Sequence, residues 1–97
     1  MTDFHKTSSI ALNQLADFFE SSWPNADVDL LEDVLIVLLP GDKQYVINKH
    51  GVTQQVWLSS PFTGAHHFAY QEDAWRCTRT EKLLSDLLRD EQKIYAA

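Results

Sequence analysis

Val34-Leu35-Ile36-Val37-Leu38-Leu39, running into Pro40-Gly41-Asp42, is the stretch on which the fold turns. Six consecutive apolar residues, cut by a Pro-Gly turn, read as a central strand with apolar side chains on both faces. The run falls far short of the roughly 20 residues that a membrane-crossing helix needs. On its amino side, Asp27-Val28-Asp29-Leu30 alternates, which places Val28 and Leu30 inward and both aspartates outward. On its carboxyl side, Gln44 to Asn48 forms a third strand that turns at Lys49-His50-Gly51.

Further along, Gln54 to Ser59 alternates, with Val56 and Leu58 on one face and Gln55, Trp57 and Ser59 on the other. Ala65 to Tyr70 and Ala74 to Thr78 give two more strands, joined by Gln71-Glu72-Asp73. Helices close both ends of the chain. Phe4, Ala11, Leu12, Leu15, Phe18 and Phe19 recur at helical spacing over residues 3 to 22, until Trp23-Pro24 ends the run. Thr78-Arg79-Thr80-Glu81 matches a capping box, followed by the stripe Leu83, Leu84, Leu87 and Leu88. The expectation is one α+β domain over residues 1–97, a two-layer sandwich. An antiparallel sheet of about six strands carries the N- and C-terminal helices on one face.

The 97 residues hold eight Lys/Arg against fourteen Asp/Glu, a net charge of −6. That balance argues against nucleic acid or an anionic membrane as partner. The single cysteine, Cys77, excludes an internal disulfide and a Cys-rich zinc site, and on a strand in phase with Trp75 it reads as a packed, inert thiol. Three glycines are too few for a phosphate-cradling loop, and no hydrolase or metalloprotease motif occurs. His66 and His67, adjacent on a strand, point to opposite faces and cannot close on one ion. The start at Met1 carries neither a secretory core nor an Arg-rich transit segment. A bacterial cytoplasmic location is therefore expected, the alternative being the mature form of a mitochondrial matrix protein.

Charge is unevenly placed. Residues 1–42 carry eight acids and one base, whereas residues 43–71 contain no acid at all. Such a dipolar pattern orients encounters with charged partners. Asp17 and Glu20 share a helix face turned away from the apolar stripe, and Asp27 and Asp29 share one face of the first strand. The two pairs are expected to form one ridge, extended by Glu32 and Asp33. Like charges about 6 Å apart repel by roughly 1–3 kcal/mol at effective dielectrics between water and 20. A bound cation or a basic partner relieves that repulsion. Carboxylates suit hard ions such as iron, magnesium or manganese, and a spread arrangement holds them weakly and exchangeably. Trp57, flanked by Gln55 and Ser59 on the face not covered by helices, reads as an interface anchor, the alternative being a cross-strand packing contact.

Tyr45-Val46-Ile47-Asn48-Lys49, then Gln55-Val56-Trp57-Leu58-Ser59-Ser60-Pro61, then Gly64 with His67-Phe68, closely resembles the frataxin family, whose bacterial members are the CyaY proteins. The likeness extends from Phe4-His5 to Leu88. It implies a helix–sheet–helix sandwich and a non-enzymatic role in iron–sulfur cluster assembly. It further implies weak iron binding, ferrous or ferric, with other divalent cations accepted. The implied partners are a cysteine desulfurase and its scaffold protein, with the rate of sulfur transfer tuned by a monomer that iron drives into oligomers. By position, Asp17, Glu20, Asp27 and Asp29 are the metal ridge, His5 an extra ligand, and Asn48, Lys49, Gln55, Trp57 and His67 the partner contacts. Ser21, Ser22 and Asn25 stand where many bacterial members place acids, so the ridge is thinner. The tail after Leu88 is short, leaving less chain to cover the gap between the helices and implying modest stability. Two other readings compete, a small acidic secretion chaperone without metal dependence and a ferroxidase.

Overall fold

The computed structural model describes residues 3–96. Asp3 caps helix α1 (Phe4–Ser22), its carboxylate accepting the Lys6 backbone N–H at 3.3 Å. Leu12, Leu15, Ala16 and Phe19 are buried along one face of the helix. Trp23 then leaves the helix in an extended conformation ahead of Pro24, as the steric demand of the following ring requires.

Six strands follow: β1 (Asp27–Leu30), β2 (Val34–Leu39), β3 (Lys43–His50), β4 (Gln55–Ser60), β5 (Gly64–Gln71) and β6 (Ala74–Cys77). They form one antiparallel meander in the order β1-β2-β3-β4-β5-β6. Helix α2 (Leu84–Tyr95) closes the described chain. The expected two-layer architecture holds. Gly41, at φ +84°, supplies the left-handed backbone that reverses the chain after Pro40.

Leu35, Val37, Tyr45, Ile47, Val56, Leu58 and Phe68 alternate into the helix-covered face and are essentially inaccessible to solvent. The opposite face stays open. Its apolar members on β2 are partly wet, with Leu38 47% exposed, so β2 is internal to the sheet without being covered on both sides. Leu30, expected inside, is 38% exposed because it ends the edge strand, where only β2 flanks it.

Two local expectations are corrected. Lys49 and His50 belong to β3, and the turn comes after them. The Thr78–Glu81 capping box caps nothing: Glu81 adopts φ +63°, Leu83 bridges to Arg76, and α2 begins only at Leu84 without a side-chain cap. The segment after Leu88 continues as helix to Tyr95, and Ala96 packs against the core beside Phe62. A cleft of about 310 Å³ remains between Trp23, Phe62 and Tyr95.

Two polar clusters tie the layers together. Glu91, 2% exposed, accepts hydrogen bonds from Tyr45 Oη at 2.7 Å, Ser60 Oγ at 2.6 Å and Thr63 Oγ1 at 2.6 Å. Ser60 Oγ also accepts the Phe62 and Thr63 backbone N–H groups, which fixes the β4–β5 turn against α2. Burial first, then the Glu91 hydrogen bond and charge, push the Tyr45 phenol far above its ordinary value. At the other end of the sheet, Lys49 turns its ammonium beneath the start of α1, where it meets Ser9 Oγ and lies 3.3 Å from His5 Nδ1.

Candidate functional site

Two surfaces collect the residues singled out in the sequence. The first is the α1/β1 edge. Asp17 and Glu20 are exposed on α1, and Asp27 and Asp29 are exposed on β1. In the register Asp29 pairs with Ile36 and Asp27 with Leu38, whereas Val28 pairs with the buried Val37. The β1 pair therefore points to the open sheet face and the α1 pair belongs to the helix layer. The acids wrap around the edge of the sandwich rather than lying in one plane.

Among the described residues, the ion pairs are Lys49–Asp33, Arg76–Glu72, Lys82–Asp90 and Arg89–Asp86. None reaches Asp17, Glu20, Asp27, Asp29 or Glu32. These carboxylates are open to solvent and to any cation that arrives. Among the described residues no group of three His, Cys, Asp or Glu side chains comes close enough to hold a metal ion. Single or paired carboxylates remain, which suit a hard, hydrated cation held weakly through a few oxygens and do not suit a closed cage.

Two expected ligands do not join this edge. His5 stands beside the Lys49 ammonium, which repels a cation, and twelve residues of helix put it about 18 Å along the axis from Asp17. Asp33 lies 4.0 Å from Lys49 Nζ and answers that charge. Lys49 in turn is corrected as a partner contact, because its side chain is only 4% exposed and faces the helix layer. Position 49 is in phase with Ile47 and Tyr45, so the strand alternation already carried this signal.

The second surface is the open sheet face. Asn48 pairs with Trp57 and Trp57 with His67, which sets three of the expected contacts in one row, with Gln55 in the next. Trp57 is half-buried rather than free. His50 stacks on it with ring centroids 3.7 Å apart and planes 8° from parallel, and His67 stacks at 4.3 Å and 13°. Its indole N–H donates to Gln55 Oε1 at 2.8 Å. The cross-strand contact is therefore real, and the indole is held rigid with its edge outward. His50 was missed because the sequence placed it in a turn. Within β3 it falls two residues from Asn48, on the same face.

Cys77 is buried, as expected. Burial raises its thiol, but the Thr80 hydroxyl, the backbone N–H groups of Arg79 and Thr80, and the Arg79 charge outweigh it and leave the thiol below its ordinary value.

A family model described as a frataxin-like domain matches residues 1–97. The chain belongs to the frataxin family. Mitochondrial frataxin of Arabidopsis thaliana is 34% identical over 96 residues, covering 92% of this chain and 51% of the plant protein. The iron–sulfur cluster assembly protein CyaY of Aliivibrio salmonicida is 28% identical over 95 residues, covering 98% of this chain and 90% of the relative. The chain thus spans about half the length of the plant relative and nearly all of the bacterial one. Among solved structures, a trimeric frataxin from the yeast Saccharomyces cerevisiae complexed with ferrous iron aligns with TM-score 0.77 and 27% identity, over 99% of this chain and 88% of that one. Frataxin from Psychromonas ingrahamii aligns with TM-score 0.80 at 22% identity, over 95% and 88% of the two chains, a likeness of fold. Family membership sets the secretion-chaperone reading aside.

Proposed function

We propose that this frataxin-family chain is a non-catalytic regulator of iron–sulfur cluster assembly that binds iron weakly and docks on a cysteine desulfurase–scaffold complex. Support comes from its relatives, named for cluster assembly in bacteria and found with ferrous iron in yeast. The single observation that carries the reading in this chain is the edge at which Asp17, Glu20, Asp27 and Asp29 face solvent without an ion-pair partner among the described residues.

Asp27 and Asp29 stand roughly 6–7 Å apart along β1, a spacing at which unscreened carboxylates oppose one another. A hydrated ferrous ion or a basic groove on the desulfurase removes part of that repulsion on contact. Both draw on the same oxygens, so iron and desulfurase compete for the edge. The open face supplies the second contact: Asn48, Gln55 and the Trp57 edge meet the scaffold, and a rigid indole loses little side-chain entropy when it is covered. Docking at both surfaces biases the position of the sulfur-carrying segment of the desulfurase, which alters turnover without any chemical step on this chain.

The test pairs binding with sulfide production, using the desulfurase and scaffold of the same organism. Asp27→Asn with Asp29→Asn is expected to weaken docking several-fold and flatten its salt dependence. Trp57→Ala is expected to keep the fold and abolish the effect on desulfurase turnover. Unchanged affinity and unchanged modulation in these variants would refute the proposal.

A further inference from the structure

The open face is graded in charge along the sheet. Its carboxylates, Asp27 and Asp29, sit on edge strand β1. Ile36, Leu38 and Val46 follow across β2 and β3. Beyond them come His50 on β3, Trp57 on β4, His67 on β5 and Arg76 on β6, which pairs with Ala69 in the row that holds Gln55 and His50. Strands lie about 4.8 Å apart, so β1 is roughly 10 Å from β3 and 19 Å from β5, at or beyond the screening length in physiological salt. The acids of β1 therefore do little to neutralise charge at the stack.

Other polar groups around the rings leave that charge in place. Thr53 Oγ1 is 2.7 Å from His50 Nδ1, and a hydroxyl can accept from a protonated imidazole as readily as it donates to a neutral one. The β1–β2 turn brings Asp33 alongside the end of β3, but its carboxylate lies toward Lys49 on the helix side, with Glu32 exposed in the same turn. Arg76 adds a cation from β6, held by the Gln71 carbonyl and 3.9 Å from Glu72. The indole itself favours positive charge on either ring, because its faces are the electron-rich side of the quadrupole.

Imidazole is the side chain whose ordinary charge change falls between pH 5 and 8. We propose that the His50–Trp57–His67 stack is a proton-gated docking platform whose occupant is a carboxylate-bearing protein surface. This rests on the reading that the open face meets the scaffold, and it adds what that partner's surface must carry and how docking responds to pH. The acidic α1/β1 edge seeks positive charge, so the chain presents opposite demands on its two surfaces and fixes the polarity of the complex.

The test is calorimetric titration of the desulfurase–scaffold complex with the full chain at pH 6, 7 and 8 and constant ionic strength. Wild type is expected to bind on the order of five-fold more tightly at pH 6 than at pH 8, the sum of two partly screened charge contacts. His50→Phe with His67→Phe keeps the ring stack, removes the titration, and is expected to hold the pH 8 affinity throughout. His50→Arg with His67→Arg fixes the charge and is expected to hold the pH 6 affinity throughout. Identical pH profiles for wild type and the Phe pair overturn the proton gate, even if Trp57→Ala abolishes binding. Wild-type binding by Trp57→Ala overturns the docking reading on which the gate rests. Sedimentation of the chain alone at pH 6 supplies the remaining arm: self-association would make a second copy the occupant and overturn the proposal.

Discussion

Glu91 and the pair Asp27/Asp29 are carboxylates of one small domain that meet opposite fates. Glu91 is sealed from water and surrounded by three hydroxyl donors from β3, β4 and the following turn. Asp27 and Asp29 stand in water at the sheet edge with no ion-pair partner among the described residues. The first arrangement is what a fold needs in order to tolerate a buried charge, since each oxygen must recover in hydrogen bonds what it lost in hydration. The second weakens the fold slightly and leaves free energy to be gained from an incoming cation. An acid enclosed by donors serves the structure, and an acid left without them serves an encounter.

The largest expected effect breaks the enclosed side of this comparison. Glu91→Leu strands the hydroxyls of Tyr45, Ser60 and Thr63 and is expected to cost about 2–4 kcal/mol of unfolding free energy in denaturant titrations. Glu91→Gln, which keeps one acceptor, is expected to cost about half as much. Lys49→Ala comes next, at about 1–2 kcal/mol, because it removes a buried stem and leaves Ser9 and Asp33 without their cation. Lys49→Met should cost less than Lys49→Ala, since the stem packing survives.

Tyr45→Phe is expected to cost about 1 kcal/mol at pH 7 and to change the alkaline limb of stability. The Tyr45 phenol is raised above the ordinary value of 10.0, so the folded chain keeps a proton that the unfolded chain releases. Its contribution is complete below pH 10 and declines above it by about 1.4 kcal/mol per pH unit. Unfolding curves between pH 9 and 11 should steepen for wild type and stay flatter for Tyr45→Phe. The smallest effect has the opposite sign: Asp27→Asn with Asp29→Asn is expected to stabilise the free chain by a few tenths of a kcal/mol to about 1 kcal/mol.

Much of this was legible in the residues. Every strand was found within about two residues, because alternation of buried side chains has a period of two and survives short elements. The exposed acids were found because they break the apolar pattern on both α1 and β1. The polar clusters were harder. Glu91 follows Leu84 and Leu88 on the apolar stripe of α2, so its burial could have been read from the period, but the donors that make it tolerable come from residues 28 to 46 positions away in sequence. Lys49 and His50 were misplaced for one reason, a turn read at Lys49-His50-Gly51 when the strand runs on through His50 and turns only at Gly51. That single shift hid both the Lys49 clamp beneath α1 and the His50 stack on Trp57. The Thr78–Glu81 box failed because local capping chemistry yielded to a turn over residues 78–80 that doubles the chain back to the antiparallel bridge between Leu83 and Arg76, so helix starts only at Leu84.

The central claim is that the α1/β1 carboxylates are a strained, unpaired edge that gains by meeting positive charge. The direct measurement is thermal unfolding of wild type and of the variant Asp17→Asn/Glu20→Gln/Asp27→Asn/Asp29→Asn. Each is melted anaerobically in ferrous iron and in sodium chloride of equal ionic strength. The expected result is a Tm that rises with iron in wild type, and a variant that starts higher in sodium chloride and does not respond to iron. Equal Tm values in both salts, with no gain in the neutralised variant, would contradict it.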